Sequence, residues 1–292
     1  MSGARAGHLA MLAFSMLVAG SFALGALAAN EIAPSALNAV RFWVATVIIG
    51  SIAYATSGVP RSAIAAPWRY IVLAALFCTY FVLMFEGLKT APPVSAAAVF
   101  TLTPILAAFF GWVLLRQVLT PRMALALVFG ALGALWVIFR ADLAALLRFE
   151  IGRGEFIYFW GCMAHAIYTP LVRKLNRGES AVVFSFGVLL AGAVMLTLWG
   201  WGAIMATEWT ALPPIVWITI LYTAVFASAA TFVLLQFATL RLPSSKVMAY
   251  TYLTPSWVIV WELALGGAPP PALVLVGLLL TMTALVMLLR EE

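Results

Sequence analysis

His165 and Tyr168 stand three positions apart in "AHAIYTPLV", inside an apolar run, so a helix would turn both toward one side. An imidazole titrates near neutral pH and can both donate and accept hydrogen bonds. In an apolar setting it can hold a zwitterion or relay a proton, or simply bond a nearby carbonyl. Two other stretches, "TLTPILAAFF" from Thr101 and "YLTPSWVIVW" from Tyr252, carry Leu-Thr-Pro inside apolar runs, 151 positions apart. A proline in mid-helix deletes one backbone hydrogen bond and clashes with the preceding turn, at roughly 3 kcal/mol. Pro104 and Pro255 would each free a carbonyl four residues back, at Phe100 and Thr251. With Thr103 and Thr254 beside them, these oxygens suit a substrate ammonium group. Gln236 adds an uncharged amide in an apolar run, a further candidate contact. Tyr80, Phe100, Trp160, Tyr250, Tyr252 and Trp257 offer rings on which a planar substrate stacks and a cation is attracted.

The elements that must position these groups follow from composition. Of 292 residues, 65% are hydrophobic and only 9% charged, with mean hydropathy +1.10 and a single aspartate, Asp142. So little polar surface cannot cover a soluble core. In lipid every backbone polar group must be paired internally, by helices or a closed barrel. The apolar runs are continuous and near helix-spanning length, whereas barrel strands would be about ten residues and alternating. The expected class is an all-α, multi-pass membrane protein. The run from His8 to Ala28 exceeds the roughly 7–15 residues of a signal-peptide core and reads as a first span.

Ten spans are expected, at about 8–28, 36–56, 68–88, 94–115, 123–140, 155–173, 181–205, 214–240, 245–264 and 271–289. Most prolines fall between them or at their starts, where a missing N–H costs little; Pro104, Pro170 and Pro255 fall inside. Lys and Arg gather on the cytoplasmic side of membrane proteins. With the N-terminus in the cytoplasm, that side receives Arg5, Arg61, Arg69, Arg116, Arg122, Arg173, Lys174, Arg177, Arg241, Lys246 and Arg290. The opposite side receives Lys89, Arg140, Arg148 and Arg153. Both termini are therefore expected in the cytoplasm, and the charge of +6 is a topology signal that implies no nucleic-acid partner. Arg41 falls within span 2 and Glu86 near the end of span 3. They either snorkel to the interface or pair with each other; Glu262 is expected to snorkel. Trp68, Trp201, Trp209 and Trp217 suit an interfacial belt. Cys78 and Cys162 read as small buried residues, and Gly130 and Gly133 as helix-packing positions.

The halves repeat. "FEGLK" at Phe85 resembles "FATLR" at Phe237, an offset of 152, while Pro92 matches Pro243 and Leu102-Thr103-Pro104 matches Leu253-Thr254-Pro255, both at 151. A repeat of five spans, an odd number, must enter the membrane from the opposite face. That is the inverted repeat of many secondary transporters, in which interrupted helices at matching positions mark the substrate site. The expected units are 1–140 and 154–292, joined by an external linker, 141–153. Pro104 and Pro255 become hinge candidates. The rival account is a kink that serves packing alone.

"GLKTAPPVSAAAVFTLTPILAAFF", "LRLPSSKVMAYTYLTPSWVIV", "AHAIYTPLVRKL" and "APSALNAVRFWVAT" resemble the drug/metabolite transporter superfamily, in its ten-helix branch with two EamA domains. Within it the chain looks most like bacterial exporters of aromatic and other amino acids. The resemblance implies alternating access, no cofactor, a bacterial inner-membrane location and a monomer that handles small molecules. There are departures. Arg116-Gln117 and Gly266-Gly267 stand where relatives often carry Gly-Glu, and Ala19 precedes Gly20 where a tryptophan is common. Span 1 has no acid, so the proton coupling of the four-helix multidrug relatives does not carry over.

An enzyme would need a nucleophile with its base, or carboxylates around a metal. The spans hold no aspartate, no pair of acids at helical spacing and no Gly-x-Ser-x-Gly, and no metal site is expected. Nor are there the filter or charged rings of a channel. Export of aromatic and other uncharged amino acids is the expected function, with efflux of cationic hydrophobic drugs as the alternative. The substrate-site candidates are Tyr80, Phe100, Thr103, Trp160, His165, Tyr168, Gln236, Tyr250 and Thr254.

Overall fold

A backbone surrounded by lipid has only itself to bond, and the chain meets that demand with helices throughout the described residues. The computed structural model describes residues 3–56, 58–148 and 150–289; Arg290, counted above for orientation, lies outside them. The elements are α1 (Gly3–Ala28), α2 (Pro34–Thr56), α3 (Trp68–Leu88), α4 (Pro93–Phe100), α5 (Thr103–Leu115), α6 (Pro121–Ile138), α7 (Arg153–Leu175) and α8 (Ala181–Trp199). They continue with α9 (Pro214–Ala224), a π turn at Val225–Ala230, α10 (Thr231–Thr239), α11 (Ser244–Ala249), a 3-10 turn at Tyr250–Leu253, α12 (Thr254–Ala264) and α13 (Val274–Leu289). Short helices at Arg61–Ile64, Leu143–Arg148 and Trp201–Ala206 lie in connections.

Among the described residues, seven stretches are long and apolar enough to cross a membrane, namely α1, α2, α3, 93–115, α6, α8 and 214–239. The protein is a multi-pass membrane protein. α7 has 23 residues but carries Arg153, Glu155, Arg173 and Lys174 at its ends, and α13 has 16 residues. Helix starts follow local chemistry. Pro93, Pro121 and Pro214 occupy first turns, where no N–H is missed. The Thr120 and Ser180 hydroxyls accept the N–H groups of Met123 and Val183. Asp142 caps the connecting helix by accepting the N–H of Ala144 at 2.8 Å and Ala145 at 3.1 Å.

The interrupted stretches correct one expectation. Pro104 and Pro255 do not break running helices; the chain has left α geometry before each. α4 ends at Phe100, Thr101 and Leu102 turn, and Pro104 stands in the first turn of α5. α11 gives way to the 3-10 turn, and Pro255 stands in the first turn of α12. Neither carbonyl is left free. Phe100 O accepts the Thr103 hydroxyl at 2.7 Å, and Thr251 O accepts the Thr254 N–H. Pro170, by contrast, lies within continuous helix α7.

Packing joins the first and second halves of the chain at every level. α3 lies along α7, and α1 along α9 and α10; α2 packs on α8, α6 on α13, α4 on α12 and α5 on α11. Glycines permit the tightest crossings. A Cβ on Gly133 would sit 2.6 Å from the Gly277 carbonyl oxygen, and one on Gly87 2.7 Å from that of Gly154. Gly130 gives its space to the Tyr252 ring.

Candidate functional site

Helix α7 presents a stripe of fully buried side chains, Tyr158, Cys162, His165 and Tyr168, at spacings of four, three and three. These spacings keep one face of a helix. Trp160 falls between them, about 140° round from His165 at 100° per residue. It is 52% exposed and touches Phe156 and Phe159, so it belongs to the outer surface and not with the other candidates.

His165 is enclosed by rings. Tyr80 stacks on it at 4.5 Å between centroids and Phe100 at 5.4 Å, Phe77 meets it edge-on at 5.2 Å, and Tyr168 lies 6.2 Å away. Phe77 is the hub, since it also touches Tyr168 and Phe232, each at 4.3 Å. Polar contacts run out from the cluster on both sides. The Tyr158 hydroxyl donates to that of Tyr80 at 3.2 Å, and Gln236 Nε2 donates to the Tyr168 hydroxyl at 2.8 Å. Tyr80, Phe100, His165, Tyr168 and Gln236 are thus brought together, from α3, α4, α7 and α10.

Several polar atoms here lack partners. Both ring nitrogens of His165, the Gln236 Oε1 and the Thr254 hydroxyl are buried without a hydrogen bond among the described residues. Leaving a buried donor or acceptor unpaired costs about 1–3 kcal/mol, so such clustering calls for a functional account. Thr103 and Thr254 sit at the two breaks beside this region, and Thr103 Oγ1 lies 3.2 Å from Thr251 Oγ1. Tyr250 stands apart, its hydroxyl 3.1 Å from His8 Nδ1. The rings seal the cluster from solvent. Five of the surface clefts among the described residues, of about 340–470 Å³ each, are lined by residues other than His165, Tyr80 and Gln236.

The profile of the EamA-like transporter family matches residues 5–139 and, a second time, 152–290. The chain belongs to the EamA-like transporter family. Among curated proteins, this EamA-like transporter is 25% identical over 261 residues to the uncharacterized transporter YyaM of Bacillus subtilis (strain 168), covering 89% of this chain and 86% of that one. A solved crystal structure of another protein superposes with a TM-score of 0.73 at 19% identity, over all of this chain and 99% of its own, and bears on the fold alone.

Sequence reasoning missed three features. Phe77 was not singled out, although it lies one turn before Tyr80 and Phe81. The π turn leaves no residue signature. Arg41 neither snorkels nor pairs with Glu86, which instead meets Lys89 at 2.7 Å. Arg41 is fully buried and bonds across the molecule to Ser228 and Ala227.

Proposed function

We propose that this EamA-like transporter exports aromatic and other uncharged amino acids, with related small metabolites, across a bacterial inner membrane by alternating access. The observation that carries this reading is His165, buried with both nitrogens unpartnered inside a cage of Phe77, Tyr80, Phe100 and Tyr168. Rings supply a stacking surface for a planar side chain, and the unsatisfied imidazole and amide supply hydrogen bonds to its polar end. Few fixed charges surround them, which favours breadth over strict choice. The buried cation Arg41 beside the cluster works against a cationic drug as substrate.

The framework we propose is ten spans in two inverted five-helix units, 1–140 and 154–292, with both termini cytoplasmic. The packing supports it. Number the spans so that α4–α5 is the fourth, 214–239 the eighth and α11–α12 the ninth; exchanging each span with the one five places away then maps the observed neighbours onto one another. Third with sixth becomes eighth with first, while second with seventh, fourth with ninth and fifth with tenth are self-paired. The double family match supports it too. The substrate then sits where the interrupted fourth and ninth spans cross.

The test is counterflow in proteoliposomes containing only this protein and preloaded with unlabelled phenylalanine. External labelled phenylalanine is expected to accumulate transiently inside, and labelled tyrosine likewise. Accumulation no greater than in protein-free liposomes would refute the amino-acid reading.

A further inference from the structure

Arg41 is among the largest side chains that the fold buries completely. Its Nε donates to Ser228 Oγ at 2.6 Å, its Nη2 to Ala227 O at 2.7 Å and its Nη1 to Asn38 Oδ1 at 3.3 Å. The guanidinium carbon lies 3.7 Å from the centre of the Phe81 ring. Every one of these partners is neutral, and among the described residues no carboxylate lies within ion-pair distance. A guanidinium keeps its proton in proteins, so this is a buried positive charge with no counter-ion. Such a charge at membrane depth is costly and is by default a functional group.

Fixing the π turn does not require the charge, because a neutral donor could bond Ser228 and Ala227. The carbonyl in question is available for a local reason. The Thr231 N–H, which in an α-helix would bond Ala227 O, bonds Phe226 O and Ser228 O in the π turn. Besides Asn38 and the Phe81 ring, Arg41 therefore holds a carbonyl that the Thr231 N–H does not use and a rotatable hydroxyl, both exchangeable partners. Its planar fork matches a carboxylate with two parallel hydrogen bonds. Phe81 links it to the histidine cage, packing on Tyr80 at 4.7 Å and Phe77 at 5.0 Å.

We propose that Arg41 is the group that reads the substrate's carboxylate, exchanging its bonds to Ala227 and Ser228 for a bidentate pair. This rests on the amino-acid reading above and adds a requirement to it: the substrate must carry a carboxylate next to an apolar or aromatic body. Binding supplies the counter-ion that the protein lacks and removes the tie to the π turn in one event. The recognition thus reports occupancy directly to span 8.

The experiment compares unlabelled phenylalanine, phenylalaninamide and 3-phenylpropionate as competitors of labelled phenylalanine counterflow. For the wild type, the amide is expected to compete at least about 10-fold more weakly than phenylalanine, and phenylpropionate to retain most of its effect; a lost charge-assisted pair has that order of effect. In Arg41→Gln the acid-to-amide ratio should fall to within about 3-fold. Arg41→Lys keeps the charge and should keep the preference at weaker affinity, and it serves if the glutamine variant does not fold. Equal competition by acid and amide in the wild type overturns the assignment, as does an equal loss for both ligands in Arg41→Gln. If the wild type carries no phenylalanine at all, the amino-acid reading fails instead. Stabilisation of purified protein by phenylpropionate but not by its amide would then still support Arg41 as a carboxylate reader, and equal stabilisation would refute it.

Discussion

Thr103 and Thr251 place their hydroxyl oxygens 3.2 Å apart, joining the break between α4 and α5 to the 3-10 turn before α12. Thr103 also donates to Phe100 O at 2.7 Å. The two interrupted spans are therefore tied to each other at the points where each departs from α geometry. In both, the proline begins the segment that follows the break.

Alanine at both prolines restores an N–H to each following segment and lets the α geometry run through the break. Pro104→Ala with Pro255→Ala is expected to leave expression and insertion intact while slowing counterflow several-fold. Transport at the wild-type rate, at matched protein per vesicle, would mark these prolines as packing features only.

His165→Phe should separate stability from activity. The substitution removes two unsatisfied polar atoms from a ring-lined site, so unfolding in mixed micelles should become no easier and harder by up to about 1–2 kcal/mol. Counterflow should drop at least about tenfold. A variant that is destabilised yet still transports normally would assign the imidazole a structural role.

At the opposite end of α3, Arg69 and Glu179 form a pair at 2.6 Å, with side chains only 1% and 4% exposed. Arg69 also donates to Leu175 O at 2.7 Å, which staples α3 to the connection between α7 and α8. Burial acts to raise the Glu179 carboxyl, but hydrogen bonds from Arg69 and from the Arg177 N–H outweigh it and hold the group below its ordinary value. A depressed carboxylate contributes stability that is complete above its unfolded pKa, near 4.3, and is lost as pH falls through the folded value. Glu179→Gln should therefore cost about 1–3 kcal/mol at pH 7. The gap from wild type should begin to narrow as pH falls below the unfolded value, and close only once the folded carboxyl is protonated. A gap that is the same at pH 7 and pH 3.5 would show that the charge is immaterial.

Topology gives a binary test. With an odd-numbered repeat and cytoplasmic termini, Arg61→Cys and Arg177→Cys must both react with an impermeant maleimide only in inside-out vesicles. Labelling of the two from opposite sides would exclude the inverted arrangement.

Hydropathy and proline placement made the fold class legible because lipid imposes one backbone solution and prolines collect where helices start. The shared face of His165 and Tyr168 was legible for the same reason as any helix face; Tyr158 on the same stripe was not singled out, and Trp160 was misplaced by ignoring the spacing. The Leu-Thr-Pro pair marked the two places where the spans are interrupted, but with the wrong local geometry. Periodicity alone does not show that Thr101 and Leu102, or Tyr250–Leu253, have already left the α-helix. Arg41 was unreadable from spacing. Its partners, Ser228 and Ala227, are some 187 positions away and are presented by a π turn whose residues, Val-Phe-Ala-Ser-Ala-Ala, could equally form an ordinary helix.

The π turn lies between α9 and α10, whereas α3, its counterpart under the proposed repeat, is continuous α-helix from Trp68 to Leu88. Two perfectly equivalent halves would make the inward-open and outward-open states degenerate, with identical affinities at the two faces. One unmatched turn lifts that degeneracy, so the half-saturation constants on the two sides need not agree. For a carrier with no coupled ion, the ratio of maximal rate to half-saturation constant must still be equal in both directions. The direction of net flux would then be set by the substrate gradient, and the asymmetry would tune only the concentration at which each face begins to work.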